Sequence, residues 1–146
     1  MNTLSEETTD HFLDFYNNVY SSLSEYEPAD ELTDENIKKL TGVIHSMEMR
    51  FRQDDYEHIV SGIIVHTALD HLLINGNKRL SLIFGYFCAW WYGHVMVLTQ
   101  SSFAKMIKEI VVEVGKEANG SKKERKRLDA ISALAEEIKD YSVPRY

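Results

Sequence analysis

The stretch HLLINGNKRL, residues 71–80, gathers a histidine, a glycine-bearing turn and two adjacent cations between two strongly apolar segments. Each residue type has a chemical use. A helix that begins near Lys78 leaves its first backbone N–H groups without intrahelical partners. With the helix dipole, those groups make a site for an anion. Gly76 lets the backbone turn and come close to a ligand, and Asn77 is placed to cap the helix and to orient a bound phosphate. Lys78 and Arg79 put two positive charges where the dipole alone disfavours them, which points to an anion between them. Arg79 adds the planar fork that grips phosphate oxygens. His71 ends the preceding helix, and a neutral imidazole takes a proton from an incoming hydroxyl near pH 7. A phosphate cradle beside a base is the minimum equipment for moving a phosphorus group onto a hydroxyl.

The elements that must position these residues are helical. Residues 5–26 place Phe12, Phe15, Tyr16, Val19, Tyr20 and Leu23 at helical spacing, and Pro28 marks a loop. Thr33 is a cap for a second helix that buries Ile37, Leu40, Val43, Ile44 and Met47. Residues 51–55 read as a connection. A third helix runs from about Asp55 to Leu72 with Tyr56, Ile59, Val60, Ile63, Ile64 and Thr67 inward. A fourth starts near Lys78, is apolar nearly all round and ends at Gly93, so it reads as the central, surrounded helix. Residues 94–99 are short, β-branched and ambiguous. A fifth helix, capped by Ser101 or Ser102, turns Phe103, Met106, Ile107, Ile110, Val111 and Val114 to the core and ends at Asn119 and Gly120. A capping box from Ser121 to Glu124 opens a sixth, with Leu128, Ile131, Leu134 and Ile138 on one face, stopped by Val143 and Pro144. The prediction is an all-α, single-domain bundle over residues 1–146 around a central apolar helix, with residues 1–52 as acidic N-terminal helices and 56–140 as the motif-bearing core.

Bulk properties narrow the function. At 146 residues and 44% hydrophobic, the chain has the length and composition of one globular domain. The net charge of −7 is all in the N-terminal third: residues 1–52 hold 11 acidic and 4 basic residues, and residues 53–146 hold 12 of each. That balance argues against general nucleic-acid binding, which needs Lys and Arg for phosphates. The single cysteine, Cys88, excludes an internal disulfide and reads as a small buried hydrophobe. The polar, acidic start MNTLSEETTD does not read as a signal peptide. The greasy run from Leu80 to Leu98 is interrupted by Ser81, Gly85, Gly93 and His94, so it reads as a core helix and not as a membrane span. A cytoplasmic protein without membrane contact is the expectation.

Residues 71–79, HLLINGNKR, resemble the core motif of the Fic/Doc superfamily, His-x-Phe-x-(Asp/Glu)-(Gly/Ala)-Asn-x-Arg, and the Asn-Lys-Arg ending is closest to the Doc (death-on-curing) toxin branch. The likeness is best over residues 64–103. The resemblance implies His71 as general base, the backbone of Gly76 and Asn77 around nucleotide phosphates, and Arg79 with Lys78 on phosphate. It implies ATP or another nucleotide as co-substrate and a protein target modified on a Ser, Thr or Tyr hydroxyl, by phosphate transfer in Doc-like members and by AMP transfer in Fic members. No stretch matches the inhibitory pattern (Ser/Thr)-x-x-x-Glu-(Gly/Asn), so the resemblance implies a separate antitoxin as partner. The chain departs from the pattern in four places. Asn75 replaces the carboxylate that holds Mg²⁺, and a neutral amide oxygen ligates that ion more weakly. Leu73 replaces the Phe, Leu69 stands where Doc has an Arg, and Leu82 stands where Fic enzymes have a second Arg. The departures favour phosphate over AMP and raise an alternative: a catalytically degenerate member that binds a nucleotide or a partner without turnover.

Other chemistry-bearing residues have plainer readings. His45, His58, His66 and His94 have no ligand spacing and read as structural or exposed. Trp90, Trp91 and Tyr92 read as core and rim packing. The run KKERKR at 122–127 reads as the wet face of the sixth helix.

Overall fold

The computed structural model of the protein describes residues 33–52, 54–70, 77–97 and 100–145 together with His11, with the side chains of residues 34, 77–79 and 100–103 outside that set. The helix expected over residues 5–26 lies outside the described residues. The described chain is ordered as α1 (Asp34–Arg50), α2 (Tyr56–Leu69), α3 (Asn77–Trp91), β1 (His94–Met96), α4 (Gln100–Gly115), α5 (Ser121–Asp140) and β2 (Ser142–Pro144). Among the described residues the fold is all-α but for two short strands. Among the described residues no helix is long and apolar enough to cross a membrane.

Helix α1 starts where Thr33 and Asn36 cap each other. The Thr33 hydroxyl accepts from the Asn36 N–H at 3.2 Å, and the Thr33 N–H donates to the Asn36 side chain at 3.0 Å. Its inward stripe is Ile37, Leu40, Ile44 and Met47, spaced as one face of a helix. Asp55 caps α2 by accepting from the His58 N–H and from the His58 ring, the latter at 2.9 Å. Helix α2 ends at Leu69, three residues before the sequence predicts, because Asp70 leaves helical geometry while its N–H still reaches the His66 carbonyl.

The middle of the bundle belongs to α2 as much as to α3. Helix α2 packs against α1, α3, α4 and α5, and nine of its fourteen residues are buried. Two glycines bring neighbours close to it. A methyl group on Gly62 would meet the Met47 sulfur of α1 at 2.3 Å, and one on Gly85 of α3 would meet the Ile64 side chain of α2 at 2.5 Å. The Ser61 hydroxyl, fully buried, donates to the Ile131 carbonyl of α5 at 2.6 Å. Helix α3 contributes Leu80, Ile83, Phe84, Phe87 and Cys88 to the same core, and Ile107, Ile131, Leu134 and Ile138 close it from α4 and α5.

The structure refines the sequence reading at several further points. Residues 94–96, ambiguous in sequence, form β1, paired antiparallel with β2 so that Val95 opposes Val143; α5 stops at Asp140, just ahead of the predicted Val143–Pro144 stop, and residues 142–144 continue as a strand. Helix α4 includes Ser101 and Ser102 within its first turn and ends at Gly115. Gly120, with φ of +151°, is the N-cap of α5, and Ser121 is already helical, so no side chain caps that helix. Leu128 is 39% exposed, whereas Ile131, Leu134 and Ile138 are buried. Gly93 ends α3 as predicted, with φ of +88°.

Candidate functional site

The candidate site lies between the end of α2 and the start of α3. His71, Asn75 and Gly76 are outside the described residues. Asn77, Lys78 and Arg79 are the first three residues of α3. Asn77 is thus inside the helix, one position past the cap that the sequence assigns to it. The N–H groups of this first turn have no carbonyl within their own helix to bond. Leu80 and Ser81, directly behind them, are completely buried, so the turn is anchored to the core.

The opposite flank of the segment is the last turn of α2, and it carries a polar cluster. Arg127 of α5 donates from Nη1 to His66 Nδ1 at 2.9 Å and lies 3.6 Å from the Asp70 carboxylate. Arginine donates only, so this bond requires an imidazole with a free lone pair on Nδ1. His66 Nε2 then carries the hydrogen, and it is buried with no hydrogen-bond partner among the described residues. Burial, then the charge of Arg127, holds the His66 pKa below its ordinary value, with Asp70 pulling the other way. A cleft of about 570 Å³ opens between α1 and this end of α2, lined by Lys39, Gly42, Ser46, Met47, His66 and Asp70.

Sequence reading missed this cluster because it treats His66 as a lone histidine and Arg127 as part of a solvated run. A signal was present. Arg127 stands four residues before Ile131 and seven before Leu134, on the inward stripe of α5. Lys126, its neighbour, is also engaged, at 2.7 Å from Glu117. The run 122–127 is thus only partly a wet face. Of the other histidines, His94 stacks on Tyr56 at 3.8 Å and 7°, and His58 serves the cap of α2. Trp90 is half-exposed with the Arg145 guanidinium 4.1 Å above its ring.

For a metal, the motif offers the neutral amide of Asn75, a weaker ligand for Mg²⁺ than a carboxylate, and among the described residues no group of three or more His, Cys, Asp or Glu side chains is gathered to hold one. Comparison with protein-family models, with curated proteins and with solved structures gave no match.

Proposed function

We propose that the protein is a Doc-like transferase that moves a phosphate from a nucleotide such as ATP to a Ser, Thr or Tyr hydroxyl of a protein target. The observation that carries the reading is the run His71 to Arg79 bridging two core helices, with Asn77, Lys78 and Arg79 as the first turn of α3. In this reading the first-turn amides and Arg79 hold the nucleotide's outer phosphates, and Lys78 adds charge. His71 takes the proton from the target hydroxyl as its oxygen attacks the terminal phosphorus; the bond to the leaving nucleoside diphosphate breaks. The target bears a free hydroxyl, and control falls to a separate antitoxin.

Asn75 supports a second reading, in which the site binds a nucleotide or a partner protein without turnover. The two readings share the phosphate cradle and differ in the chemistry. Calorimetric titration of ATP into wild type, His71→Ala and Arg79→Ala tests the cradle. Arg79→Ala is expected to weaken ATP by about tenfold or more, while His71→Ala binds as wild type. Wild type that fails to bind millimolar ATP, or Arg79→Ala that binds equally well, overturns both. Incubation with a protein extract and ATP labelled on the terminal or on the first phosphate then reads transfer. Label lost with His71→Ala supports the enzyme, and the position of the label separates phosphate from AMP. An Asn75→Asp variant that gains strongly in transfer identifies a site built for the reaction and short of metal.

A further inference from the structure

We propose that Arg127 and His66 form a tie that positions the end of α2, just ahead of the motif in sequence, made while His66 is neutral and broken when it is protonated; its effect on catalysis rests on the transferase reading above. The geometry is specific. Arg127 reaches from α5 to the last turn of α2, where it donates to His66 Nδ1 at 2.9 Å and approaches Asp70 at 3.6 Å. Its side chain is only 18% exposed. The tie thus holds the C-cap residue Asp70, which immediately precedes His71 in sequence. Protonation of His66 removes the lone pair that accepts from Arg127 and sets two cations side by side, which converts an attraction into a repulsion. The cleft beside His66 gives protons a way to the ring.

The surrounding charges do not undo this. Arg127 and Glu124 of α5, Asp70 at the end of α2 and Arg50 of α1 act on the ring, and Lys39 of α1 lines the same cleft. Helix α3 carries no charged residue from Leu80 to Trp91, and the charged groups of α4 (Lys105, Lys108, Glu109 and Glu113) are all exposed. Of these three cations and two carboxylates around the ring, Arg127 is the one hydrogen-bonded to it, and its charge adds to burial in favouring the neutral imidazole.

Hydrogen exchange of the Asp70 amide, which donates to the His66 carbonyl, reads the tie directly in the full chain. After correction for the intrinsic rate, wild-type exchange is expected to speed up about tenfold between pH 7.5 and pH 5. His66→Asn keeps an acceptor near the Nδ1 position but does not titrate, so its protection stays the same across that range. Arg127→Met exchanges fast at both pH values, and the milder Arg127→Lys serves if Met disturbs folding. Wild-type protection that is independent of pH, or Arg127 variants protected like wild type, overturns the tie. The same samples separate the two proposals. Wild type with pH-dependent protection that binds no ATP overturns the transferase reading and leaves the tie standing. If transfer is found, its acid limb is expected to move down in pH in His66→Asn.

Discussion

Three helical glycines ask for different neighbours, and substituting each by alanine separates packing from backbone preference. Gly42 faces open space, with nothing within 4 Å of an added methyl. Alanine there gains helix propensity of about 1 kcal/mol and meets no obstacle. Gly62 is opposed by the Met47 sulfur at 2.3 Å, a side chain with freedom to swing. Gly85 is opposed at 2.5 and 2.6 Å by two carbons of Ile64, a β-branched side chain locked in the core. Overpacking of that kind costs roughly 1–3 kcal/mol. Thermal melting is expected to rank Gly42→Ala above wild type, wild type above Gly62→Ala, and Gly85→Ala lowest. At roughly 2–4 °C per kcal/mol, the shifts are large enough to resolve. A Gly85→Ala variant that melts with wild type would contradict the close approach of α2 and α3.

At the scale of elements, the β1–β2 pair is a clasp on the start of α2. Tyr56, the first residue of that helix, stacks flat on His94 of β1, and its hydroxyl is hydrogen-bonded to that of Ser142 of β2. The pairing is extended on both sides, by the Val97 N–H to the Tyr141 carbonyl and the Arg145 N–H to the Gly93 carbonyl, each at 2.7 Å. Tyr56→Phe is expected to lose about 1 kcal/mol for the hydroxyl alone, and Tyr56→Ala about 2–3 kcal/mol with the stacking removed. Exchange of the Val97 and Arg145 amides, compared with that of core amides in α2, checks whether the clasp opens locally. Equal protection in Tyr56→Ala and wild type would show that the strands stand without it. This clasp was not legible in the sequence, because strand pairing between residues 94 and 144 joins positions about fifty apart, and three-residue strands carry too little alternation to announce themselves. What was legible followed from periodicity. The inward stripes of α1 and α2, the Thr33 cap and the Gly93 stop are all fixed within a few residues of chain. The cap of α5 failed because Ser121 and Glu124 spell a capping box while Gly120 takes the cap position. The candidate site divides in the same way. The helix start at Asn77 could be read within a residue, but the Arg127 contact with His66 could not, since it depends on how α5 crosses α2.

For the whole molecule, the buried titratable groups define a pH window of stability, and the direction of each limb can be worked out. His66 has its folded pKa below the ordinary 6.5, chiefly through burial and then through Arg127. The unfolded chain therefore binds more protons as pH falls below about 6.5, and stability declines from there until the folded group also titrates. Asp55 adds a second loss at lower pH. Burial pushes its carboxyl up, but the hydrogen bonds from His58 and Glu57 together with the charge of His58 outweigh this and hold it below its ordinary value, so its contribution disappears as pH falls through the acid range. On the alkaline side the signs reverse. Burial and then Glu48, whose carboxylate accepts from the Tyr92 hydroxyl at 2.9 Å, push the Tyr92 phenol far above 10.0. Burial does the same to the Cys88 thiol, above 9.0. Both groups stay protonated in the folded chain after the unfolded chain has released its protons, so stability falls as pH rises past about 9 to 10. Melting temperature is thus expected to be flat from about pH 6.5 to 9 and to fall on either side. The two limbs are independent at the residue level. His66→Asn should remove the first acid step and leave the alkaline limb untouched, whereas Tyr92→Phe should make the alkaline limb shallower above pH 10, with Cys88 and Tyr86 still contributing, and leave the acid step in place. A wild-type curve with no decline between pH 6.5 and 5 would show that His66 titrates alike in the folded and unfolded chain, and with it the arginine tie to the end of α2 would fall.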